Sequence, residues 1–243
     1  MTRWLIFLVL IIVAPASAAS PYADWAAVVV AGDSYSSEGE RTAVFDNGRI
    51  AIGEALLKIG FLSEHIRHFS DRPKTFPIGA PSPSTPSRIA RGLAQVAKAA
   101  KGGCLVYFTS HGDEQAIGIG DYGLSPKGLA KMLAQSCGAR PVVAIVSACY
   151  SGVFVPKLKG PDRIVMTAAA PDRSSFGCGA DDKYTFFDEC VLESFSSARD
   201  FPGLGQQAVA CVAAREKKEK VETPSHPQLA VGERAAALIP KWK

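Results

Sequence analysis

The chain has 243 residues, of which 47% are hydrophobic and 21% charged, and its formal net charge is +4. This composition is typical of a globular protein and excludes fibrous, disordered and multi-span membrane proteins. The positive charge is small and evenly spread, whereas nucleic-acid binders cluster Lys and Arg on one face, so no nucleic-acid partner is expected.

The first eighteen residues have the pattern of a secretory signal peptide. Arg3 precedes an apolar run over residues 4–13, and small residues follow at 16–18, where a signal peptidase would cut. The apolar run is much shorter than the ~20 residues that a membrane-spanning helix needs. We therefore expect residues 1–18 to be removed, no stable membrane insertion afterwards, and export to the periplasm or the extracellular medium, where disulfides can form.

The mature chain alternates predicted strands with predicted helices. Short apolar runs predict buried strands over residues 25–31, 104–109, 142–146 and 163–168, with a weaker strand near 64–69. Apolar residues at helical spacing predict helices over residues 45–59, 87–100, 125–135, 186–198 and 204–220. Strands of this kind, separated by helices, indicate an α/β fold with a mainly parallel sheet and helices on both faces.

Two proline-containing segments interrupt this pattern. Residues 71–87 hold five prolines and are predicted to form a long loop. Residues 222–243 hold three prolines and are expected to form a loosely packed C-terminal tail. The globular domain is thus predicted to cover residues 19–221.

A histidine and a cysteine each follow a predicted buried strand. His111 comes just after one strand and Cys149 just after the next, and the sites of open α/β sheets lie at the carboxyl ends of strands. A nearby imidazole lowers the pKa of a thiol and can protonate a leaving amine. The backbone amides of Gly112 and Cys149 can hold an oxyanion. A structural Cys with an ordinary loop His is the alternative, but the pair at two strand ends favours a Cys-His hydrolase.

Four segments of the chain resemble the legumain-like asparaginyl endopeptidases, which belong to the caspase-like superfamily of cysteine peptidases. The segments are residues 25–32, 107–112, 148–152 and 167–178. The resemblance covers roughly residues 25–195 and implies a caspase-like three-layer sandwich. It also implies a peptidase that works through an acyl-enzyme, with Cys149 as nucleophile and His111 as catalytic histidine. Such an enzyme acts on peptide or protein substrates, cleaves after Asn or Asp, and needs no metal or organic cofactor.

The resemblance also suggests residues of the substrate pocket. The family has an Arg after the first strand, for which Arg41 is the best match and Arg49 the rival, and Asp188 falls where a later acidic residue is expected. Ser147 stands two residues before the nucleophile, where the family has Glu. The missing carboxylate changes the charge balance of the pocket, which leaves open an acidic or small residue before the scissile bond. Solvated surface is the alternative for Arg41 and Asp188.

A second motif suggests a different enzyme. Gly32-Asp33-Ser34 resembles the nucleophile block of secreted esterases and lipases, which would make Ser34 the nucleophile. These enzymes need a C-terminal His with Asp three residues before it, but Thr223 has that position relative to His226. The esterase is therefore disfavoured. A non-catalytic caspase-like binding module is the other alternative.

The six cysteines can form at most two disulfides if Cys149 is a nucleophile, because five then remain. Cys178 and Cys190 flank one loop and are predicted to pair. Cys104 and Cys137 precede neighbouring predicted strands and are predicted to form the second disulfide.

Overall fold

The computed structural model describes residues 20–242, so the predicted signal peptide lies outside the described residues. A seven-stranded sheet runs in the order β3-β2-β1-β4-β7-β8-β9, and β5 and β6 form a separate hairpin. The strands are β1 (Trp25–Ala31), β2 (Ile66–Ser70), β3 (Ser82–Pro83), β4 (Gly103–Thr109), β5 (Ile117–Ile119), β6 (Tyr122–Leu124), β7 (Val142–Ser147), β8 (Arg163–Thr167) and β9 (Gln228–Val231). Every pair in the large sheet is parallel except β8 with β9.

Helices cover both faces of this sheet. They are α1 (Val44–Lys58), α2 (Pro86–Ala99), α3 (Pro126–Cys137), α4 (Val155–Leu158), α5 (Phe186–Ser197), α6 (Phe201–Lys218) and α7 (Ala235–Leu238). Within residues 20–242, none of them is long and apolar enough to cross a bilayer. One apolar core packs α1, α5 and α6 against the sheet, and a second packs α2, α3 and α4 against its other face.

The β1 strand shows why the sheet has helices on both sides. All seven of its residues are buried. Ala27 and Val29 belong to one core, and Ala26, Val28 and Val30 belong to the other. Successive side chains of a strand point to opposite faces, so a continuous apolar run requires cover on both. The predicted three-layer α/β sandwich is confirmed.

The long loop was predicted almost correctly, but the start of the following helix was not. Within residues 71–87, two residues form β3 beside the end of β2. The helix α2 begins at Pro86, and Thr85 caps it by accepting a hydrogen bond from the Arg88 amide at 3.3 Å. Proline at the first helical position costs no hydrogen bond, which explains the start before Ser87.

The C-terminal segment is less loose than expected. Residues Gln228–Val231 form β9, which pairs antiparallel with β8, and Ala235 and Ile239 are buried in the core. An uncovered β8 would expose a row of unpaired backbone groups, and β9 supplies their partners.

Only one of the two predicted disulfides forms. Cys104 and Cys137 are bonded, as predicted. The predicted pairing of Cys178 with Cys190 is wrong, because Cys190 on α5 is bonded to Cys211 on α6, with their Cα atoms 5.6 Å apart. The two helices pack on each other, so their facing positions meet although the loop residue Cys178 is closer in sequence. Cys149 and Cys178 are free.

Candidate active site

The strands that precede His111 and Cys149 are neighbours in the sheet. β4 and β7 pair in parallel, with Thr109 opposite Ser147. His111 and Cys149 each lie two residues beyond this last pair. The predicted adjacency of the two strand ends is therefore confirmed, and both residues lie at the carboxyl edge of the sheet, as expected for sites in α/β folds.

Backbone and ring contacts orient His111. Its Nε2 lies 2.9 Å from the carbonyl oxygen of Tyr35, in the loop after β1. A carbonyl can only accept, so Nε2 carries the proton and Nδ1 of the neutral ring is left as the acceptor. The ring of Phe45 on α1 meets the imidazole edge to face, with the centroids 5.1 Å apart. These contacts fix both the tautomer and the plane of the ring.

The sulfur of Cys149 lies against the loop after β8. The Ser175 amide donates to Sγ at 3.2 Å, and the Ser175 hydroxyl lies 3.7 Å from the same atom. An N–H group that points at a sulfur favours negative charge there. Tyr150, the next residue, has φ +56°, which is uncommon for a residue with a side chain, and its amide donates to the Arg173 carbonyl at 2.7 Å. This turn holds the cysteine at the edge of the sheet.

The two amides expected to bind an oxyanion are free to do so. A side chain at position 112 would place its Cβ 2.7 Å from the Cys149 carbonyl oxygen, so only Gly112 permits this close approach. Within residues 20–242, neither the Gly112 amide nor the Cys149 amide donates to another group. Two unpartnered N–H groups thus lie at the neighbouring strand ends that carry the imidazole and the thiol.

Arg41 lies in the same loop as Tyr35. Its guanidinium stacks over the Tyr35 ring at 3.8 Å from the centroid, and Nη1 donates to the Ser34 hydroxyl at 2.6 Å. The Ser34 hydroxyl in turn donates to Asp71. Arg41 is exposed, and its other donors have no partner in the described part of the chain. The guanidinium is therefore held beside the loop that contacts His111, with donors left for a ligand.

The rival arginine has a structural position. Arg49 is fully buried, forms an ion pair with Asp46 at 2.6 Å, and donates to the carbonyls of Phe76 and Ile78. These bonds attach the proline-rich loop to α1. Of the two candidates, only Arg41 is accessible.

Ser147 and Asp188 lie beneath the site rather than on its surface, with exposed fractions of 1% and 0%. Thr109 donates to the Asp188 carboxylate at 2.7 Å, and the Ser147 hydroxyl lies 3.2 Å from that of Thr185, the N-cap of α5. Burial raises the pKa of Asp188 above its usual range. In this structure neither side chain offers a surface to a substrate, and their contacts tie the ends of β4 and β7 to α5.

Ser34 lacks the contacts of an esterase nucleophile. Ser34 is 2% exposed, and its hydroxyl is hydrogen-bonded to Asp71 and Arg41. No histidine contacts this hydroxyl within residues 20–242, so the general base of an esterase is missing from it. His226 lies instead in the C-terminal segment beside α6. The structure does not bring Ser34 and His226 together.

Three contacts of the site were not expected from the sequence. Tyr35 acts through its backbone carbonyl, Ser175 through its backbone amide, and Phe45 through a ring contact. Backbone groups leave no residue-type signal, so only the position of Ser175 within the resembling segment 167–178 pointed toward it.

A solved structure has a fold similar to that of this chain. Caspase-1 from Spodoptera frugiperda has a similar fold, with a TM-score of 0.61, 14% sequence identity, and coverage of 93% of this chain and 94% of that chain. At this identity the likeness shows the fold alone. No curated protein matches the chain in sequence.

The fold is caspase-like, and a thiol and an imidazole follow adjacent strand ends of its sheet. The chain belongs to the peptidase C13 family, whose model matches residues 91–212. It is accordingly a cysteine-type endopeptidase, and the resemblance to legumain-like enzymes is confirmed. The match includes both His111 and Cys149.

Proposed function

We propose that this chain is an exported endopeptidase in which His111 and Cys149 form the catalytic dyad, with a preference for Asp before the scissile bond. The register of β4 and β7, which pairs the strand ends that precede His111 and Cys149, is the observation that carries the proposal. The fixed His111 tautomer and the amide on the Cys149 sulfur support it.

The proposed mechanism uses the groups in this order. The Cys149 thiol gives its proton to Nδ1 of His111, and the sulfur attacks the carbonyl carbon of the substrate. The amides of Gly112 and Cys149 stabilise the oxyanion. The imidazolium then protonates the leaving amine, which departs and leaves a thioester. Water attacks the thioester after losing a proton to His111, and the tetrahedral intermediate collapses to release the acid and the thiol.

The proposed preference for Asp rests on Arg41. A guanidinium with free donors suits a carboxylate, which can accept two parallel hydrogen bonds from it. Ser147 supplies no carboxylate beside the nucleophile, and the carboxylate of Asp188 is fully buried beneath the site. An Asp side chain can therefore meet Arg41 with little repulsion, whereas an Asn side chain brings no charge to it.

Export is supported by the cysteines as well as by the predicted signal peptide. Two disulfides, Cys104–Cys137 and Cys190–Cys211, are characteristic of proteins outside the reducing cytosol. The proposal therefore includes a periplasmic or extracellular location.

The experiment that tests this function compares the two free cysteines. Purified mature protein and the variants Cys149→Ala and Cys178→Ala are incubated with peptides that contain Asp or Asn. We expect Cys149→Ala to lower hydrolysis by at least ~10³-fold, because the nucleophile is removed. Cys178→Ala should keep the wild-type rate within about twofold, since it leaves the reacting atoms in place. Equal activity of Cys149→Ala and the wild type would exclude the proposed dyad.

A further inference from the structure

A cleft of about 430 Å³ opens at Tyr150, the residue after Cys149. Tyr150, Phe176 and residues 172–174 line one part of it, and residues 221–223 of the C-terminal segment line the rest. Its volume falls in the range of small-ligand sites. Its lining does not include His111, Cys149 or Arg41.

Short backbone contacts connect the cleft to the reacting sulfur. Tyr150, which follows Cys149 directly, donates its amide to the Arg173 carbonyl at 2.7 Å, and the Ser175 amide donates to the Cys149 sulfur. An extended peptide advances about 3.3 Å per residue. A substrate with its scissile carbonyl at the sulfur thus brings a nearby side chain to the cleft.

The wall made by the C-terminal segment is held in place. The Ser225 amide donates to the carboxylate of Glu216 at 2.9 Å, and Glu216 is only 2% exposed. The Ala170 amide donates to the Ser225 carbonyl at 2.8 Å, which joins the segment to the loop after β8. Because both bonds are inaccessible to solvent or nearly so, residues 221–223 form a preorganised wall.

The lining suits a long cationic side chain. Tyr150 and Phe176 offer aromatic rings against which an aliphatic stem can pack and a cation can be attracted. Among the described residues, Arg173 is the one cation that lines the cleft, and its Nη1 lies 3.3 Å from the Asp172 carboxylate. Glu222 is exposed and has no ion pair within residues 20–242. The charges of Asp172, Arg173 and Glu222 add up to −1.

We propose that this cleft is a second specificity subsite, which takes a Lys or Arg side chain within three residues of the scissile bond. The inference rests on the proposed function, because it needs a peptide bound at Cys149. Arg41 and the cleft would then select opposite charges at different positions of the substrate. Glu222 would be the residue that sets the charge preference of the subsite.

A charge-reversal experiment tests the subsite. Peptides with a fixed Asp carry Lys, Leu or Glu at each of the three positions before and after the Asp. They are digested by the wild type, by Glu222→Lys and by Glu233→Lys. Glu233 is an exposed acidic residue, and the backbone amide of its neighbour Gly232 donates to the carbonyl of the first residue of β8. Glu233 therefore lies at the end of β8 opposite the strand ends of the active site, and Glu233→Lys is the matched control.

At one position we expect the wild type to prefer Lys over Glu by about tenfold in kcat/KM, chiefly through KM. Glu222→Lys should abolish or reverse this preference, whereas Glu233→Lys should behave like the wild type. Two results would refute the subsite and leave the dyad standing: no charge preference of the wild type at any position, or an equal shift of the preference in both variants. If the wild type cleaves no peptide, the proposed function fails, and the subsite fails with it.

Discussion

The two free cysteines have similar exposure and very different surroundings. Cys149 follows β7 and has the Ser175 amide on its sulfur, in a loop that approaches Gly112 of the histidine segment. Cys178 packs against the apolar cluster that includes Phe45, and burial raises the pKa of its thiol. The nearby carboxylates of Glu38 and Asp182 raise that pKa further. Surrounding groups, more than access to solvent, thus distinguish the proposed nucleophile from the other free thiol.

The largest expected effect comes from removing the imidazole. His111→Ala should lower peptide hydrolysis by roughly 10²- to 10⁴-fold, because neither the thiol nor the leaving amine then has a proton-transfer partner. The same variant should slow alkylation of Cys149 by iodoacetamide toward the rate of Cys178, which mass spectrometry of the two tryptic peptides can follow. The control is His226→Ala in the C-terminal segment, which should change neither rate.

A smaller effect is expected at Arg41. Arg41→Gln should lower the ratio of kcat/KM for an Asp peptide to that for the matched Asn peptide by roughly 10- to 100-fold, since a charge-assisted bond is lost. Arg88→Gln, at an exposed position of α2, should leave the ratio unchanged. A ratio that survives in Arg41→Gln would show that another group selects the substrate.

The smallest effect is a shift in pH dependence. In the Cys149→Ala variant, Cys178 is the sole free thiol. The raised pKa of Cys178 means that less thiolate is present at any given pH, so its alkylation should accelerate only above the ordinary pKa of a thiol. The measurement is the rate of iodoacetamide labelling from pH 6 to pH 10. A midpoint below the ordinary thiol value would contradict the contrast between the two cysteines.

The sequence was sufficient to predict the neighbouring strand ends that precede His111 and Cys149, because strong local patterns mark both. The strands before His111 and Cys149 are continuous apolar runs, and a single helix separates them, which favours neighbouring parallel strands. The histidine and cysteine themselves, together with the glycines that follow them, supply the rest of the evidence for a site at these strand ends. Residue patterns alone therefore predicted both the sheet and the two strand ends.

Features that depend on long-range packing were not predictable in the same way. The four residues of β9 follow a proline-containing stretch, and only the open edge of β8 makes them a strand. The pairing of Cys190 with Cys211 depends on which faces of α5 and α6 meet. Asp188 was predicted to line the substrate pocket, but the packing of α5 under the strand ends buries its side chain fully.

The identity of the nucleophile can be tested most directly by covalent trapping. A peptide that ends in an Asp acyloxymethyl ketone is incubated with the mature wild-type protein, and the labelled residue is identified by tandem mass spectrometry. We predict a single adduct, on Cys149, with Cys178 and Ser34 unmodified. An adduct on Cys178 or Ser34, or a folded protein that gains no label, would contradict the assignment of Cys149 as the nucleophile.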